Sequence, residues 1–207
     1  DVPKHKGLST FAIKMDTPGI TIRPLVNMAG THEFNEIFFE DVRVPAANLV
    51  GEENRGWYNV AVGLDFERSS IGATSNSRRM VDDLVTYLRT EKPRIDNAVK
   101  HRLVDEAIGV ALLRNMAYYI ASRQEKTGIA PTREAQMAKL FGAELQQRIA
   151  ATALQVFGME GQAHRPVSRA ASYRYGLLRS VANTIEGGTS EIQRSVIATR
   201  GLGLPRE

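Results

Sequence analysis

Ala138-Lys139-Leu140-Phe141-Gly142-Ala143-Glu144-Leu145-Gln146-Gln147-Arg148-Ile149-Ala150-Ala151-Thr152-Ala153-Leu154-Gln155-Val156 is the stretch whose period decides the fold. Ala138, Phe141, Leu145, Ile149, Thr152 and Val156 recur at spacings of three and four, so they share one face of a helix. Gly158 and Gly161 follow and end it. Upstream, Val99, Leu103, Ala107, Val110 and Ala111 mark another helix that continues towards Arg123. Thr127-Gly128-Ile129-Ala130-Pro131 is the turn between the two. Val81, Leu84, Val85 and Leu88 lie on one face of a helix predicted from about Trp57 to Arg89, broken at Lys92-Pro93. A fourth helix is predicted from about Pro166 to Ala182. The last opens at Ser190, where Ser190-Glu191-Ile192-Gln193 fits a capping box, and stops before Gly201. Long amphipathic helices with short connections imply an antiparallel bundle.

Before residue 50 the chain has a different character. Ser9-Thr10-Phe11-Ala12-Ile13 reads as a strand, followed by the turn Asp16-Thr17-Pro18-Gly19. Ile20-Thr21-Ile22-Arg23 and Phe34-Asn35-Glu36-Ile37-Phe38-Phe39-Glu40 read as two more, and Val42-Arg43-Val44-Pro45 closes the region. So few strands make a poor free-standing domain. The expected architecture is mainly α: a strand-rich part over 1–50, then an antiparallel helical bundle over 51–207.

Composition narrows the function classes. The 207 residues are 43% hydrophobic and 24% charged, the balance of a soluble globular chain. No apolar run approaches the ~18–20 residues of a membrane span, and no membrane partner is expected. The absence of cysteine excludes disulfides and thiolate chemistry and suits a reducing cytoplasm, the expected location. His5, His32, His101 and His164 are scattered, so no zinc site is expected. The net charge of +4 is spread among interleaved acids, as in Arg133-Glu134, rather than in a basic stripe. No nucleic-acid face is therefore expected, whereas a pyrophosphate-bearing ligand suits a moderate positive excess.

Four segments, in order, carry a resemblance. They are Phe38-Phe39-Glu40-Asp41-Val42-Arg43-Val44-Pro45, Leu64-Asp65-Phe66-Glu67-Arg68, Leu154-Gln155-Val156-Phe157-Gly158-Met159-Glu160-Gly161 and Ile185-Glu186-Gly187-Gly188-Thr189-Ser190-Glu191-Ile192-Gln193-Arg194. Together they resemble the C-terminal part of the acyl-CoA dehydrogenase family. The resemblance implies a remnant of the family's middle β domain over 1–50, with its helical C-terminal domain over 51–207. It also implies that the family's N-terminal helical domain and the first half of its β domain lie outside this sequence, so the chain is not expected to turn over alone.

The family's reaction is FAD-dependent α,β-dehydrogenation of an acyl-CoA thioester. A carboxylate takes the α proton, the β hydrogen leaves as hydride, and the developing enolate oxygen is held by hydrogen-bond donors. Medium- and short-chain members carry the base as Glu immediately before the Gly-Thr of the terminal loop. Here Gly188-Thr189 is preceded by Gly187, and Glu186 lies one residue earlier. Isovaleryl- and long-chain-type enzymes place the base in the first long C-terminal helix, before an Arg. That resemblance points to Glu67 followed by Arg68, with Gly187 supplying a backbone N–H and Glu186 as the alternative base. Taken without the resemblance, Glu67 reads as a helix-surface carboxylate paired with an Arg.

Asp65, Phe66 and Arg68 fall in the family's acyl-CoA-contacting stretch. Phe66 equally suits the core, and Arg68 equally suits a brace between helices. Flavin contacts implied by the resemblance are Arg89, Gln155, Gly158, Thr189, Ser190 and Glu191. Met159 stands where the family usually has a second Gly, and Gly158 equally suits a helix C-cap. Family members follow the first long helix with Arg-x-x-Phe-Gly. Here the stretch is Arg89-Thr90-Glu91-Lys92-Pro93, which departs from that pattern and puts flavin occupancy in doubt. The resemblance implies electron-transfer flavoprotein as acceptor and a homo- or hetero-tetramer. The competing reading is a non-catalytic or partner subunit of a hetero-oligomeric acyl-CoA dehydrogenase.

Overall fold

The computed structural model describes residues 2–67, 71–129, 131–163 and 168–205, without the side chains of 64–67, 71 and 73. Two compact units result, Asp1–Phe66 and Glu67–Glu207.

In the first unit, strands β1 (Ile20–Val26) and β2 (His32–Phe39) pair antiparallel from Ile20↔Phe39 to Val26↔His32. Asn27 builds the connecting turn, its side-chain oxygen accepting from the N–H groups of Ala29 and Thr31. The strand expected at 9–13 does not form. Its backbone is taken by another segment: Ala12 N–H donates to Asn48 O, and Val50 N–H donates to Thr10 O. Only an isolated bridge, Phe11↔Leu49, remains. The stretch 42–45 is likewise irregular and leads into a 3₁₀ turn, Ala46–Asn48. Helix α1 (Gly56–Glu67) starts where Gly56 N–H reaches Leu8 O at 2.7 Å, and Trp57 stacks on His5. The long helix expected over 57–89 is seen as α1 and α2 (Ile71–Glu91), on either side of residues outside the description.

The second unit continues with α3 (Asn97–Thr127), α4 (Thr132–Phe157), the short α5 (Met159–Gln162), α6 (Arg169–Asn183) and α7 (Ser190–Val196). The last runs into a π-type turn, Ile197–Gly201. Polar caps set the starts: Asp96 accepts from Ala98 N–H and Ser168 from Ala171 N–H. The N-cap of α7 is Thr189, which accepts from Ile192 N–H. The N-cap read at Ser190 is thus displaced by one residue, which puts Ile192 in place of Gln193 at the third helical position and leaves no capping box, and Ser190 itself is buried.

α4 is the central helix and packs on α2, α3, α6 and α7. Its partners on α3 are Gln155 with Arg102, Thr152 with Glu106, Leu145 with Gly109 and Gly142 with Leu113. One number rises as the other falls, so the helices are antiparallel. The same holds against α6, where Gln147 meets Ser180 and Gln146 meets Asn183. A methyl on Gly109 would lie 3.0 Å from Leu145 Cδ1, and one on Gly142 would lie 3.2 Å from Leu113 Cδ2. Leu84, Leu113, Ile120, Leu145 and Ile149 are fully buried in one continuous core. Among the described residues no helix is long and apolar enough to cross a membrane.

The core also encloses a carboxyl group. Glu106 is 4% exposed, accepts from Thr152 Oγ1 at 2.6 Å, and its Oε2 has no hydrogen-bond partner among the described residues. Burial pushes its pKa up, against the Thr152 bond and the charges of Arg148 and Arg102.

Two outcomes follow from this core. Leu145→Ala lowers unfolding free energy by about 2–5 kcal/mol, because α3 cannot close onto the space left. A denaturant titration with unchanged m value measures it, and a loss under about 1 kcal/mol contradicts the interlocked packing. A raised folded-state pKa means that Glu106 costs nothing below its unfolded value and destabilises as pH rises through the folded one. Glu106→Gln keeps an acceptor for Thr152 and should raise the melting temperature near about pH 8, with the gain fading towards about pH 4. Equal gains at both pH values would show that ionisation is not the cause.

Candidate functional site

A cavity of about 820 Å³ opens between α2, α4 and α6 of the second unit. Glu186 and Gly187 of the α6–α7 loop form part of its wall, with Lys139, Arg179 and Asn183 beside them and Arg79 on the α2 side. The loop is closed at its base by Ser190 N–H donating to Thr184 O at 3.0 Å. Both of its glycines need positive φ, +63° at Gly187 and +98° at Gly188.

Three side chains hold this loop from below and behind. Lys139 Nζ donates to Asn183 O at 3.0 Å and to Gly188 O at 2.5 Å. Gln193 Nε2 donates to Gly187 O at 2.9 Å and lies 3.3 Å from Gly188 O. Arg179 grips both Glu186 oxygens, at 3.1 Å to Oε2, and also reaches Asn183 Oδ1. Burial lowers the pKa of Lys139, partly offset by the Glu186 charge. The Arg179–Glu186 pair is partly exposed, its carboxylate more than its guanidinium, so it directs the carboxylate more than it stabilises the fold.

The backbone N–H groups of Gly187, Gly188 and Thr189 have no acceptor among the described residues. Successive N–H groups left open in this way suit a carbonyl oxygen or an anion. Thr189's hydroxyl is engaged as the α7 cap. Ser190 turns its hydroxyl inward, where it has no partner among the described residues. Glu191 is exposed, and a hydrogen bond to its own backbone N–H and another to the Thr189 hydroxyl hold its carboxyl below the usual range.

The residues singled out from the sequence fall into separate places. Glu186, Gly187, Thr189, Ser190 and Glu191 share the α6–α7 loop and the start of α7. Arg89, Gln155 and Gly158 gather where α2 and α4 end, a region joined by the Tyr87–Phe157 ring contact at 4.7 Å. Arg89 is exposed. Gln155 accepts from Arg102 and lines a smaller cavity of about 420 Å³ between α3 and α4. Gly158 ends α4 with φ +56° and open space beside its Cα, so its cap role is structural and its flank is free. From Lys139 to Gln155 α4 rises by about 24 Å, which separates the two groups. Glu67 is the last residue of α1, and Asp65 and Phe66 precede it on that helix. The side chains of all three, and the whole of Arg68, lie outside the described residues.

Sequence reasoning missed Lys139, Arg179 and Gln193. Lys139 carried a signal: it is a charged residue beside the inward stripe Ala135, Ala138 and Gly142. Gln193 was assigned to a cap box instead of to the glycine carbonyls.

Gly188 tests this geometry. A Cβ there would lie 2.6 Å from Gln193 Nε2 on a strained backbone, whereas one at Gly187 would have Lys139 Cε as its nearest atom at 3.7 Å. Gly188→Ala should cost on the order of 1–3 kcal/mol and lower the melting temperature more than Gly187→Ala. Equal melting temperatures would remove Gln193 from the space beside Gly188.

Residues 54–202 match the family described as acyl-CoA dehydrogenase, C-terminal domain. Over 206 residues the chain is 35% identical to the acyl-CoA dehydrogenase IpdE1 of Mycobacterium tuberculosis, covering 99% of this chain and 52% of that protein. Among solved structures it is similar to the Tcur3481-Tcur3483 steroid ACAD, with TM-score 0.89 and 26% identity over 100% of this chain and 54% of that one. It is also similar to the ChsE4-ChsE5 complex from Mycobacterium tuberculosis, with TM-score 0.86 and 26% identity over 99% and 55%. The chain spans about half the length of the relatives it matches.

Proposed function

Because the chain belongs to the acyl-CoA dehydrogenase family, we propose that it supplies the helical half of an FAD-dependent enzyme that dehydrogenates an acyl-CoA thioester between its α and β carbons. The observation that carries this reading is the loop wall of the larger cavity. There Gly187 offers an N–H with no acceptor among the described residues, in the loop that the family uses at its reaction centre. The α carbon of a thioester is weakly acidic, so its oxygen needs a donor as negative charge develops. Gly187 N–H is assigned that task. Glycine suits it because the loop turns there through positive φ.

Glu67 is the proposed base. Glu186, the alternative, stands on the cavity wall but is already held by both terminal nitrogens of Arg179. That pairing keeps it directed at α6 and weakens its claim to the α proton. Asp65, Phe66 and Arg68 are proposed to border the thioester, with Arg68 setting the Glu67 carboxylate.

The chemistry that bound FAD would supply is acceptance of the β hydrogen as hydride. Arg89, Gln155 and Gly158, gathered at the shared end of α2 and α4, are proposed to meet the ADP part of a neighbouring subunit's FAD. Gly158's open flank admits a close approach, and Gln155 is oriented by Arg102. Thr189 offers its N–H to the diphosphate. Ser190 and Glu191 open the helix that fixes that N–H, and the inward hydroxyl of Ser190 leaves the backbone as the contacting group. Electron-transfer flavoprotein is the proposed acceptor, and the cytoplasm the proposed location.

A second reading has its own support. The α6–α7 loop carries Gly187 where medium- and short-chain members carry their base, and two of the structural neighbours are complexes of named pairs of chains. In that reading this chain assembles with a homologous subunit, in a tetramer, and contributes structure instead of turnover.

Flavin absorbance and its bleaching by acyl-CoA in the full-length protein separate the two. With Glu67 as base, Glu67→Gln retains flavin but loses about 10²–10⁴-fold in kcat, while Glu186→Gln stays within a few-fold. The reverse pattern moves the base to Glu186. A colourless assembly that never turns over upholds the second reading.

A further inference from the structure

The N–H groups of Gly187, Gly188 and Thr189 are useful only if their direction is fixed, and glycine-rich backbone does not fix itself. Two carbonyls in this loop point towards donors behind it, the buried Gln193 and the half-buried Lys139. Gly187 O meets the Gln193 amide, and Gly188 O meets both that amide and the Lys139 ammonium. In a trans peptide the C=O and the following N–H point in opposite directions. Drawing Gly187 O and Gly188 O towards α4 and α7 therefore turns the N–H groups of Gly188 and Thr189 the other way. Lys139 also holds Asn183 O, so one ammonium ties the last turn of α6 to the far side of the loop. The two anchor points are five residues apart in sequence and enclose Glu186 and Gly187.

The supply of donors is matched to this task. Gln193 is 2% exposed, and its Oε1 has no partner among the described residues, so its fixed end is the amide nitrogen on the glycine carbonyls. Lys139 is half-buried on α4, beside the fully buried Ala138. A lysine there has a desolvation cost that an apolar residue would avoid. Charge-assisted bonds to two carbonyls offset that cost and are stronger than neutral ones.

We infer that Lys139 is a positioning residue: it anchors the loop at Asn183 O and Gly188 O, with Gln193 on the Gly187 and Gly188 carbonyls, and so holds in place the segment between those anchors that carries the Gly187 N–H. This rests on the reading that Gly187 and its neighbours face the substrate. Lys139 touches neither substrate nor flavin in this account. It acts through the loop, and its loss should lower kcat more than it raises KM, because the Gly187 N–H matters most as charge develops on the oxygen.

The test uses hydrogen exchange and kinetics together. Lys139→Met should speed exchange of the bonded loop amides of Ile185, Glu186 and Ser190 by about tenfold or more, with α3 and the core of α4 unchanged. Lys139→Cys should do the same. Since the chain has no other cysteine, aminoethylation of that single thiol in this chain restores an ammonium and should restore slow exchange. Unchanged exchange in both variants overturns the inference, as does acceleration that aminoethylation does not reverse. If the variants do not fold, the unaltered protein decides: Lys139 ammonium protons should give a nitrogen-correlated NMR signal protected from solvent, and a freely exchanging one overturns the clamp. In the full-length enzyme the same variants should lose kcat with KM little changed and flavin retained. Faster loop exchange with full activity would leave the clamp standing and sink the catalytic reading of the loop instead.

Discussion

The interlock of α3 with α4 is the constraint from which the rest of the helical unit follows. Each helix offers the other a glycine and a leucine: Leu145 fills the place beside Gly109, and Leu113 fills the place beside Gly142. The exchange removes two side chains from the contact and lets the helices approach more closely than two Leu–Leu contacts would. It also fixes register, since sliding by a turn would set leucine against leucine in one direction and glycine against glycine in the other. With α3 seated on one side, α4 keeps its other faces for α2, α6 and α7.

That central position has a chemical consequence. α4 runs from the cavity wall to the far end of the bundle, and residues along it reach different features. Lys139 reaches the α6–α7 loop, Gln146 and Gln147 reach α6, Thr152 satisfies one oxygen of Glu106, and Gln155 meets Arg102. The helix thus combines an apolar stripe with a polar edge whose members have protein partners. Buried polar groups are tolerated where partners meet them, and the few orphaned atoms among the described residues stand out. Two of them, Ser190 Oγ and Gln193 Oε1, lie at the start of α7 beside the loop glycines. A loop that must hold its backbone outward requires donors behind it, and those donors bring polar atoms into the interior.

The helices were legible where their pattern was long. The period of three and four in α3 and α4, the break at Lys92-Pro93 and the turn at Gly128 all recur in the structure. Short elements were less so. The 9–13 stretch has strand-like composition, yet its hydrogen bonds go to residues 48–50, a choice no local propensity records. The cap of α7 shifted from Ser190 to Thr189 because either hydroxyl suits the position locally, and the closure of the loop by Ser190 N–H on Thr184 O decided between them. At the site, the motif around Glu186, Gly187 and Thr189 identified the loop, whereas its supports were invisible. Lys139 lies 49 residues from Gly188 and outside the motifs, and Gln193, though within the motif, was read as part of a cap instead of as a donor to the glycine carbonyls.

By itself the sequence determined the helical bundle, through apolar periodicity, and the family, through four ordered segments, the last three of which lie within the match over 54–202. Tertiary structure alone decided which polar side chains meet. It assigned Arg179 to Glu186, Lys139 and Gln193 to the glycine carbonyls, and Thr152 to Glu106. The physical reason is one of range. Periodicity and capping act within a few residues and are written along the chain, whereas a buried hydrogen bond depends on which helix faces which, and that is settled only when α4 is locked between its neighbours.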